Sequence, residues 1–343
     1  MRTRLCAGLA VVAACVSVAP AGAVVGGEKV APQDVPWFVF VGPCGGTLVA
    51  PDRVLTAGHC VKGQTADELG QTRVNGELRD ITRVAMHPDW RRTNGPSTPA
   101  DDVALVELSA PVTGVAPVAL GDSMEPARII GAGRPFAPGT GHSEAETYSN
   151  GGLRQATLRQ LGDGECAKAF RNNRPGTGER FDGARMRCAV DVDGREPLSS
   201  GCFGDSGGPL VVGTNASPVL VGVVSWGGDR CGADHSPSVF ADVDRYRTFI
   251  TDSTPTWAPT QKTAVTITGA RTRTCVAAAR ERGTTLSIEW KRRTHHAKLE
   301  TVGTGRRYTP AKADAGHRIV CFVSASNDGG EILAGTASVM IAR

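Results

Sequence analysis

Between residue 24 and about residue 252 the chain is written in short apolar runs, each cut off by Gly, Pro, Asn or Asp. Residues 37–41, 47–49, 103–108 and 219–224 are examples. Runs of this length, bounded by turn formers, are strands, and many in one chain predict an all-β barrel or sandwich. Residues 246–251 are the exception, read as a short terminal helix burying Phe249 and Ile250. A Pro/Thr/Ser stretch at 253–260, Ser253-Thr254-Pro255-Thr256-Trp257-Ala258-Pro259-Thr260, then reads as a linker. Beyond it, residues 261–343 alternate again, as in Ala264-Val265-Thr266-Ile267-Thr268, and form a second β module. A length of 343 residues suits two such domains, each large enough to bury a core.

Composition narrows the function. With 40% hydrophobic and 21% charged residues the chain is neither disordered nor of low complexity. The formal charge of +4 comes from scattered Arg, 31 against 7 Lys, with no basic cluster. Nucleic-acid and membrane-surface binding are therefore not expected. Arg-rich, Lys-poor usage with many Ala and Gly points to GC-rich coding and a bacterial source. Residues 1–23 read as a secretory signal: Arg2 and Arg4, an apolar stretch at 5–19, then the cleavage site Ala21-Gly22-Ala23. The stretch is shorter than the ~20 residues that span a bilayer, and no later segment is long and apolar enough to span. Val12-Ala13-Ala14-Cys15 also resembles a lipobox, a minor alternative that would anchor Cys15 through a lipid. Ordinary export is the favoured reading. Of ten cysteines, Cys6 and Cys15 fall in the signal, leaving eight. An even number in an exported chain implies disulfides, and no C-x₂-C or H-E-x-x-H spacing suggests a metal.

The motif richest in chemistry is Gly204-Asp205-Ser206-Gly207-Gly208-Pro209-Leu210. A nucleophilic serine needs a base within reach, a group to orient the base, and donors for the oxyanion. Upstream, Leu55-Thr56-Ala57-Gly58-His59-Cys60 offers the base. Asp101-Asp102-Val103-Ala104-Leu105 places a carboxylate at the mouth of an apolar strand. Gly204-x-Ser206-x-Gly208 also satisfies the nucleophile elbow of α/β-hydrolases, but that class needs a helix after the serine, and Pro209-Leu210-Val211-Val212 reads as a strand. Taken singly, His87, His142, His235, His295, His296 and His317 are read as packed or solvated residues, with His295-His296 in a basic solvated loop beside Lys291, Arg292 and Arg293.

The order His, Asp, Ser resembles the chymotrypsin/trypsin family of serine endopeptidases over about residues 24–252. Further landmarks are Val24-Val25-Gly26-Gly27, Cys44-Gly45-Gly46-Thr47-Leu48, His87-Pro88, Met186-Arg187-Cys188-Ala189, Ser225-Trp226-Gly227 and Pro237-Ser238-Val239-Phe240. The resemblance implies a double six-stranded antiparallel β-barrel with a short C-terminal helix. It implies a secreted enzyme acting on proteins or peptides without a cofactor or metal, with a monomer as the expected state. By the same resemblance Ser206 is the nucleophile, His59 the general base and Asp102 its orienting carboxylate. The N–H groups of Gly204 and Ser206 form the oxyanion hole, and Ser225 supports Asp102. Ser225, Trp226 and Gly227 pair with the substrate backbone. Asp205 forms a buried ion pair with the freed α-amino group of Val24. Cys44 pairs with Cys60, Cys166 with Cys188, and Cys202 with Cys231.

Departures from the family's pattern bear on specificity. Ser200, six residues before the nucleophile, stands at the pocket floor where relatives that cut after Lys or Arg carry Asp. Ser238 replaces a usual Gly and narrows the pocket, while Gly227 leaves one wall open. An uncharged residue before the scissile bond (P1) is expected, with Asp229 and Asp234 near the rim. Ile130-Gly131-Ala132-Gly133 stands where the family often has Gly-Trp-Gly, and residues 62–86 give no clear calcium loop.

In the second module, Cys275, Trp290 and Cys321 follow the Cys…Trp…Cys order of an immunoglobulin-like β-sandwich. Asp314-Ala315-Gly316-His317-Arg318-Ile319-Val320-Cys321 resembles bacterial Ig-like repeats, with Ile319 where a tyrosine corner has Tyr. A Cys275–Cys321 disulfide and attachment to a surface or polymer ligand are expected of it. The alternative reading of the whole chain is a catalytically weak binding or adhesion protein that acts mainly through this module.

Overall fold

The computed structural model describes residues 24–91, 100–133, 152–173, 181–195, 198–227, 231–232, 237–279, 281–294 and 298–342. The leader with Cys6 and Cys15, and His142, Asp229, Asp234, His235, His295 and His296, lie outside these residues.

Two barrel-like sheets form the first two-thirds of the chain. In the first, Phe38–Val41, Cys44–Ala50, Arg53–Thr56, Ala104–Leu108, Glu77–Met86 and Gln71–Val74 are neighbours in that order, all antiparallel. The Thr72 hydroxyl donates to Phe40 O at 2.6 Å, drawing the outer strands together. In the second, Ala127–Gly131, Arg154–Leu161, Met186–Asp191, Ser238–Asp242, Pro218–Trp226 and Pro209–Gly213 return on themselves, since the first of these pairs with both the second and the last. Among the described residues this sheet has eight strands and not the six antiparallel ones expected: Glu28–Lys29 adds beside Arg154–Leu161, and Ala119–Leu120 pairs in parallel with Pro218–Trp226. Closure removes the open edges that a sheet must otherwise protect. Alternation decides which way the strands face: Ala156 and Leu158 are buried while Thr157 and Arg159 point outward. One apolar cluster runs from Leu48, Leu55 and Leu105 of the first sheet to Ile130, Val211, Leu220 and Val223 of the second, so the halves share a core.

The closing helix is Arg247–Thr251, with Ile250 buried and Phe249 half-buried against the His87 ring at 5.2 Å. A longer helix, Asp163–Asn173, was not legible in the sequence. Its buried contacts rest on Cys166 and Phe170, too few to impose a helical period on the text.

Arg187 explains why a cation stands inside the second sheet. It is buried, donates to Asp242 and Asp122 at 2.9 Å, and reaches Gln160 Oε1 at 2.8 Å. Removing one partner of a buried pair leaves the other charge uncompensated. Arg187→Ala is therefore expected to lower unfolding free energy by roughly 3–5 kcal/mol in a urea titration. A loss below about 1 kcal/mol, the value of an exposed pair, would contradict the assignment.

The C-terminal extension contains two further sheets. One holds Thr266–Thr268, Arg273–Val276 and Arg307–Tyr308; the other holds Leu299–Thr304, Thr285–Arg293, Arg318–Asn327 and Gly330–Met340 in that order. Cys275 and Cys321 link the two sheets by a disulfide. Trp290 lies directly opposite Cys321, fully buried, with its indole N–H donating to Gly305 O at 2.9 Å. Tyr308 stacks on Trp290, and its hydroxyl donates to Asp314 at 2.5 Å. Lys291, Arg292 and Arg293 lie on a strand, and not in the solvated loop their charge suggested. Arg292 is held by Asp314 at 3.2 Å and Glu300 at 2.6 Å, which neutralises it there.

Residues 253–260 are not a free linker. Pro255, Ala258 and Pro259 are buried, Ala258 N donates to Val84 O at 2.7 Å, and the Arg83 guanidinium lies 4.6 Å from the Trp257 ring. Composition speaks for an exposed tether, but Trp257 and Ala258 supply the apolar surface that docks it. The extension also touches the first sheet directly. Met86 N donates to Gly329 O at 2.7 Å, and Gly63 forms a parallel bridge with Ile332.

Candidate active site

The end of the strand Arg53–Thr56 delivers a single helical turn, Gly58–Val61, that carries His59. The Cys44–Cys60 disulfide ties this turn to the neighbouring strand. Asp102 precedes the buried strand Ala104–Leu108 and is itself 1% exposed. Its carboxylate accepts from His59 N at 2.8 Å, from His59 Nδ1 at 2.7 Å and from the Ser225 hydroxyl at 2.5 Å. Because a carboxylate only accepts, the imidazole proton sits on Nδ1, and Nε2 is left as the acceptor. Burial opposes charge on His59, but the Asp102 charge and hydrogen bond outweigh it, so its pKa is raised above the ordinary value.

The backbone turns the two neighbouring carboxylates, Asp101 and Asp102, to different partners. Asp101 takes the left-handed conformation, φ 56°. Its carboxylate goes to Arg185 at 3.1 Å and accepts from the Tyr246 hydroxyl at 3.3 Å. Burial raises the Asp101 pKa against the pull of Arg185. Neither Arg185 nor Tyr246 was singled out in the sequence.

Ser206 sits on a turn pressed against the His59 segment. Gly45 N donates to Ser206 O at 2.8 Å, and Gly207 N donates to Val224 O at 2.8 Å. A Cβ at Gly207, where φ is +75°, would lie 2.3 Å from Thr56 Oγ1 and 2.4 Å from Gly45 O. Glycine is what lets the serine turn come this close to the histidine turn. Among the described residues, neither Gly204 N–H nor Ser206 N–H is donated to another group. The residues that follow form the strand Pro209–Gly213, which is the context expected here and the opposite of the α/β-hydrolase elbow.

Asp205 is fully buried. It accepts from Gly133 N and Cys202 N, each at 2.8 Å, and from the backbone N–H of Val24. Burial pushes its pKa up to about 7 against those three donors. A Cβ at Gly131 would fall 2.1 Å from Asp205 Oδ1, and one at Gly133 would fall 2.5 Å from Asp205 N. The Gly131-Ala132-Gly133 spacing, visible in the sequence as a family departure, is therefore the cradle of Asp205.

A pocket of about 230 Å³ opens beside Ser206. Its walls include Gly201, Ser225, Trp226, Gly227 and Ser238, with Phe203 at the lip, and no ionisable side chain is among the described lining residues. Gly201 N donates to Ser238 Oγ at 3.0 Å, so the Ser238 hydroxyl braces one wall, and the Cys202–Cys231 disulfide braces another. Ser200 does not line this pocket. Its hydroxyl donates to Gly201 O at 3.1 Å, it forms an isolated antiparallel bridge with Val25, and it lines an adjoining cavity of about 400 Å³ with Asp191 and Gly194. Phe203, 52% exposed, had no periodic or charge signal to reveal it. Cys166 and Cys188 are also paired, which with the other three disulfides fits an extracellular protein. Among the described residues no helix is long and apolar enough to cross a membrane.

Comparison with known proteins agrees with this geometry. The trypsin family model matches residues 24–250. Trypsin iota of Drosophila melanogaster is 32% identical over 244 residues, covering 67% of this chain and 87% of that protein. Trypsin of Saccharopolyspora erythraea is 32% identical over 243 residues, covering 65% and 94%. Neuropsin, a serine protease expressed in the limbic system of mouse brain, matches in structure with a TM-score of 0.52 at 28% identity, over 66% of this chain and 97% of its own. With the model match spanning both sheets and these relatives covered over most of their length, the chain belongs to the trypsin family and is a serine endopeptidase.

Proposed function

We propose that this endopeptidase is exported and cuts polypeptides after uncharged residues, using Ser206, His59 and Asp102. The observation that carries this reading is the hydrogen-bond chain His59–Asp102–Ser225, whose Ser225 lines the uncharged pocket together with Ser206. Ser206 Oγ attacks the scissile carbonyl while His59 Nε2 takes its proton. The oxyanion meets the N–H groups of Gly204 and Ser206, each such donor being worth about 3–4 kcal/mol. His59 then returns the proton to the leaving amine, and water hydrolyses the acyl-enzyme by the same route. Ser225, Trp226 and Gly227 pair with the acyl-side backbone as an added strand. Ser238 and Phe203 restrict the P1 side chain, and Ser200 supports the pocket base from behind.

A peptide panel varied at P1 tests the specificity. Fastest cleavage is expected after Leu, Met, Phe or Tyr, and a preference for Lys or Arg discards the uncharged pocket. The rate should climb with pH through a midpoint above about 6.5, the ordinary histidine value, because Asp102 raises the His59 pKa and only the neutral ring accepts a proton. A flat profile from about pH 5 to 9 contradicts His59 as the base.

Processing after Ala23 is part of the same reading. With residues still attached before Val24, Asp205 has no cation beside it among the described residues and holds its proton up to about pH 7. Its folded pKa then exceeds the unfolded value of about 3.9, so the folded state binds the extra proton between these limits. Raising the pH across that window removes stability, by roughly 4 kcal/mol at 1.36 kcal/mol per decade. A freed Val24 amine supplies the missing charge and abolishes the loss. The melting temperature of a form retaining Ala23 should thus fall between about pH 4 and 7, while a form starting at Val24 should not follow it. Parallel curves would rule out the ion pair.

For the C-terminal extension, we read residues 261–343 as an Ig-like module. Support comes from the two sheets, the Cys275–Cys321 link between them and the Trp290 packed on it. Near Trp290 the Tyr308 hydroxyl donates to the buried Asp314 carboxylate.

A further inference from the structure

Four residues past His59 the catalytic domain is stitched to the C-terminal module. Gly63 N donates to Glu331 O at 3.2 Å, and Leu333 N donates to Gly63 O at 3.0 Å. Together with the Met86–Gly329 and Val84–Ala258 backbone bonds, these fix the outer face of the four-stranded sheet toward the His59 turn. Between them lies a groove of about 1000 Å³. Lys62 and Gly63 form one wall, and Glu289, Lys291, Phe322 and Leu333 belong to the other. Phe322 and Leu333 are half-buried and apolar; Lys291 lies over the Phe322 ring at 5.1 Å and pairs with Glu289 at 3.0 Å.

The direction of the reaction says what reaches this groove. The acyl half of a substrate occupies the pocket and the Ser225–Gly227 strand. The leaving half departs on the side where His59 Nε2 returns its proton, beside Cys60 Sγ, which lies 3.7 Å from that nitrogen. Lys62 follows on the same turn, so its Cα is no more than about 11 Å from that of His59. An extended peptide covers that distance in three or four residues. We propose that the groove binds the polypeptide substrate on the C-terminal side of the scissile bond, beginning about four residues from it. Apolar side chains would seat on Phe322 and Leu333, and polar ones would meet Lys62, Lys291 and Glu289. The module then selects long, extended polypeptides over short peptides.

This rests on the proposed peptide-bond cleavage, so its test has a part that does not depend on hydrolysis. The probes are peptides with one common acyl half ending in Phe, and leaving halves of one, three, five and seven residues, apolar at alternate positions. In the full-length enzyme, kcat/KM should rise about tenfold or more, a gain of roughly 1.4 kcal/mol, between the three- and seven-residue leaving halves. The paired variant Phe322→Ser, Leu333→Ser should lose that gain while cleaving the one-residue substrate at the unchanged rate. In parallel, calorimetry on the Ser206→Ala protein should give tighter binding of the seven-residue peptide, lost when the same pair is replaced. No gain with length in either measurement overturns the proposal, as does a gain that survives the pair. An equal fall on short and long substrates overturns it too, because the module would then only hold the His59 turn in place. If no peptide is cleaved yet the length-dependent binding is present, the cleavage reading fails and the groove stands.

Discussion

Replacing Ser206 with Ala is expected to lower kcat on a short peptide amide by about a millionfold. The serine is the only atom source for the acyl-enzyme in the proposed mechanism, and its turn is wedged against Thr56 and Gly45 by Gly207, so no neighbouring hydroxyl can take its place without rebuilding that contact. The substitution removes one oxygen from a half-buried position and should leave the melting temperature within a few degrees. A His59→Ala change added to it should cost little more, since the two groups act as a unit. Residual cleavage of roughly 10³-fold over water would reflect the pocket and the Gly204 and Ser206 N–H groups. A loss below about a hundredfold would mean that another group performs the attack and would falsify the triad. The measurement is single-turnover hydrolysis of a chromogenic amide, with active-site titration to exclude wild-type carry-over.

The second large effect belongs to Asp102. Asp102→Asn keeps the shape of the site but offers an amide where His59 Nδ1 and the Ser225 hydroxyl donate at 2.7 and 2.5 Å. An amide N–H turned toward Nδ1 forces the ring proton onto Nε2, the atom that must accept from Ser206. A fall in kcat of about 10⁴ is expected. The midpoint of the pH–rate profile should move down at the same time, because burial lowers the His59 pKa and the carboxylate that outweighed it is gone. Ser225→Ala makes a useful contrast. It removes one of three donors to Asp102 but keeps the carboxylate charge, so a much smaller loss and little change of midpoint are expected. If Asp102→Asn lowered the rate without moving the midpoint, the electrostatic part of the argument would fail, although the geometric part would survive.

The residues proposed to be catalytic were legible because each lies in a local motif whose neighbours have a structural reason to be there. Gly207 must be small beside Thr56, Cys60 is tied to Cys44, and the Val103-Ala104-Leu105 run after Asp102 is core. The Asp163–Asn173 helix was not legible, since a few buried positions do not make a period. The role of Gly131 and Gly133 was equally hidden, for the carboxylate they cradle is more than seventy residues away in the chain. Ser200 was placed by counting back from Ser206, and counting does not reveal that its hydroxyl turns to Gly201 O and leaves the pocket wall to its neighbours.

By itself, then, the sequence determined the strand-rich class of both parts, the His, Asp and Ser motifs, and the cysteines available for pairing. These are set by short-range rules: alternation, turn formers and the few residues a motif spans. Only the tertiary structure decided that Asp101 faces Arg185 while Asp102 faces His59, because that choice hangs on one left-handed backbone angle. It alone decided that the 253–260 stretch is packed and not free, because Pro and Thr are compatible with either state and the partners of Trp257 and Ala258, the Arg83 guanidinium and the Val84 carbonyl, come from a distant strand. And it alone brought the module to the turn after His59, through backbone hydrogen bonds to Gly63 that no pattern of side chains records.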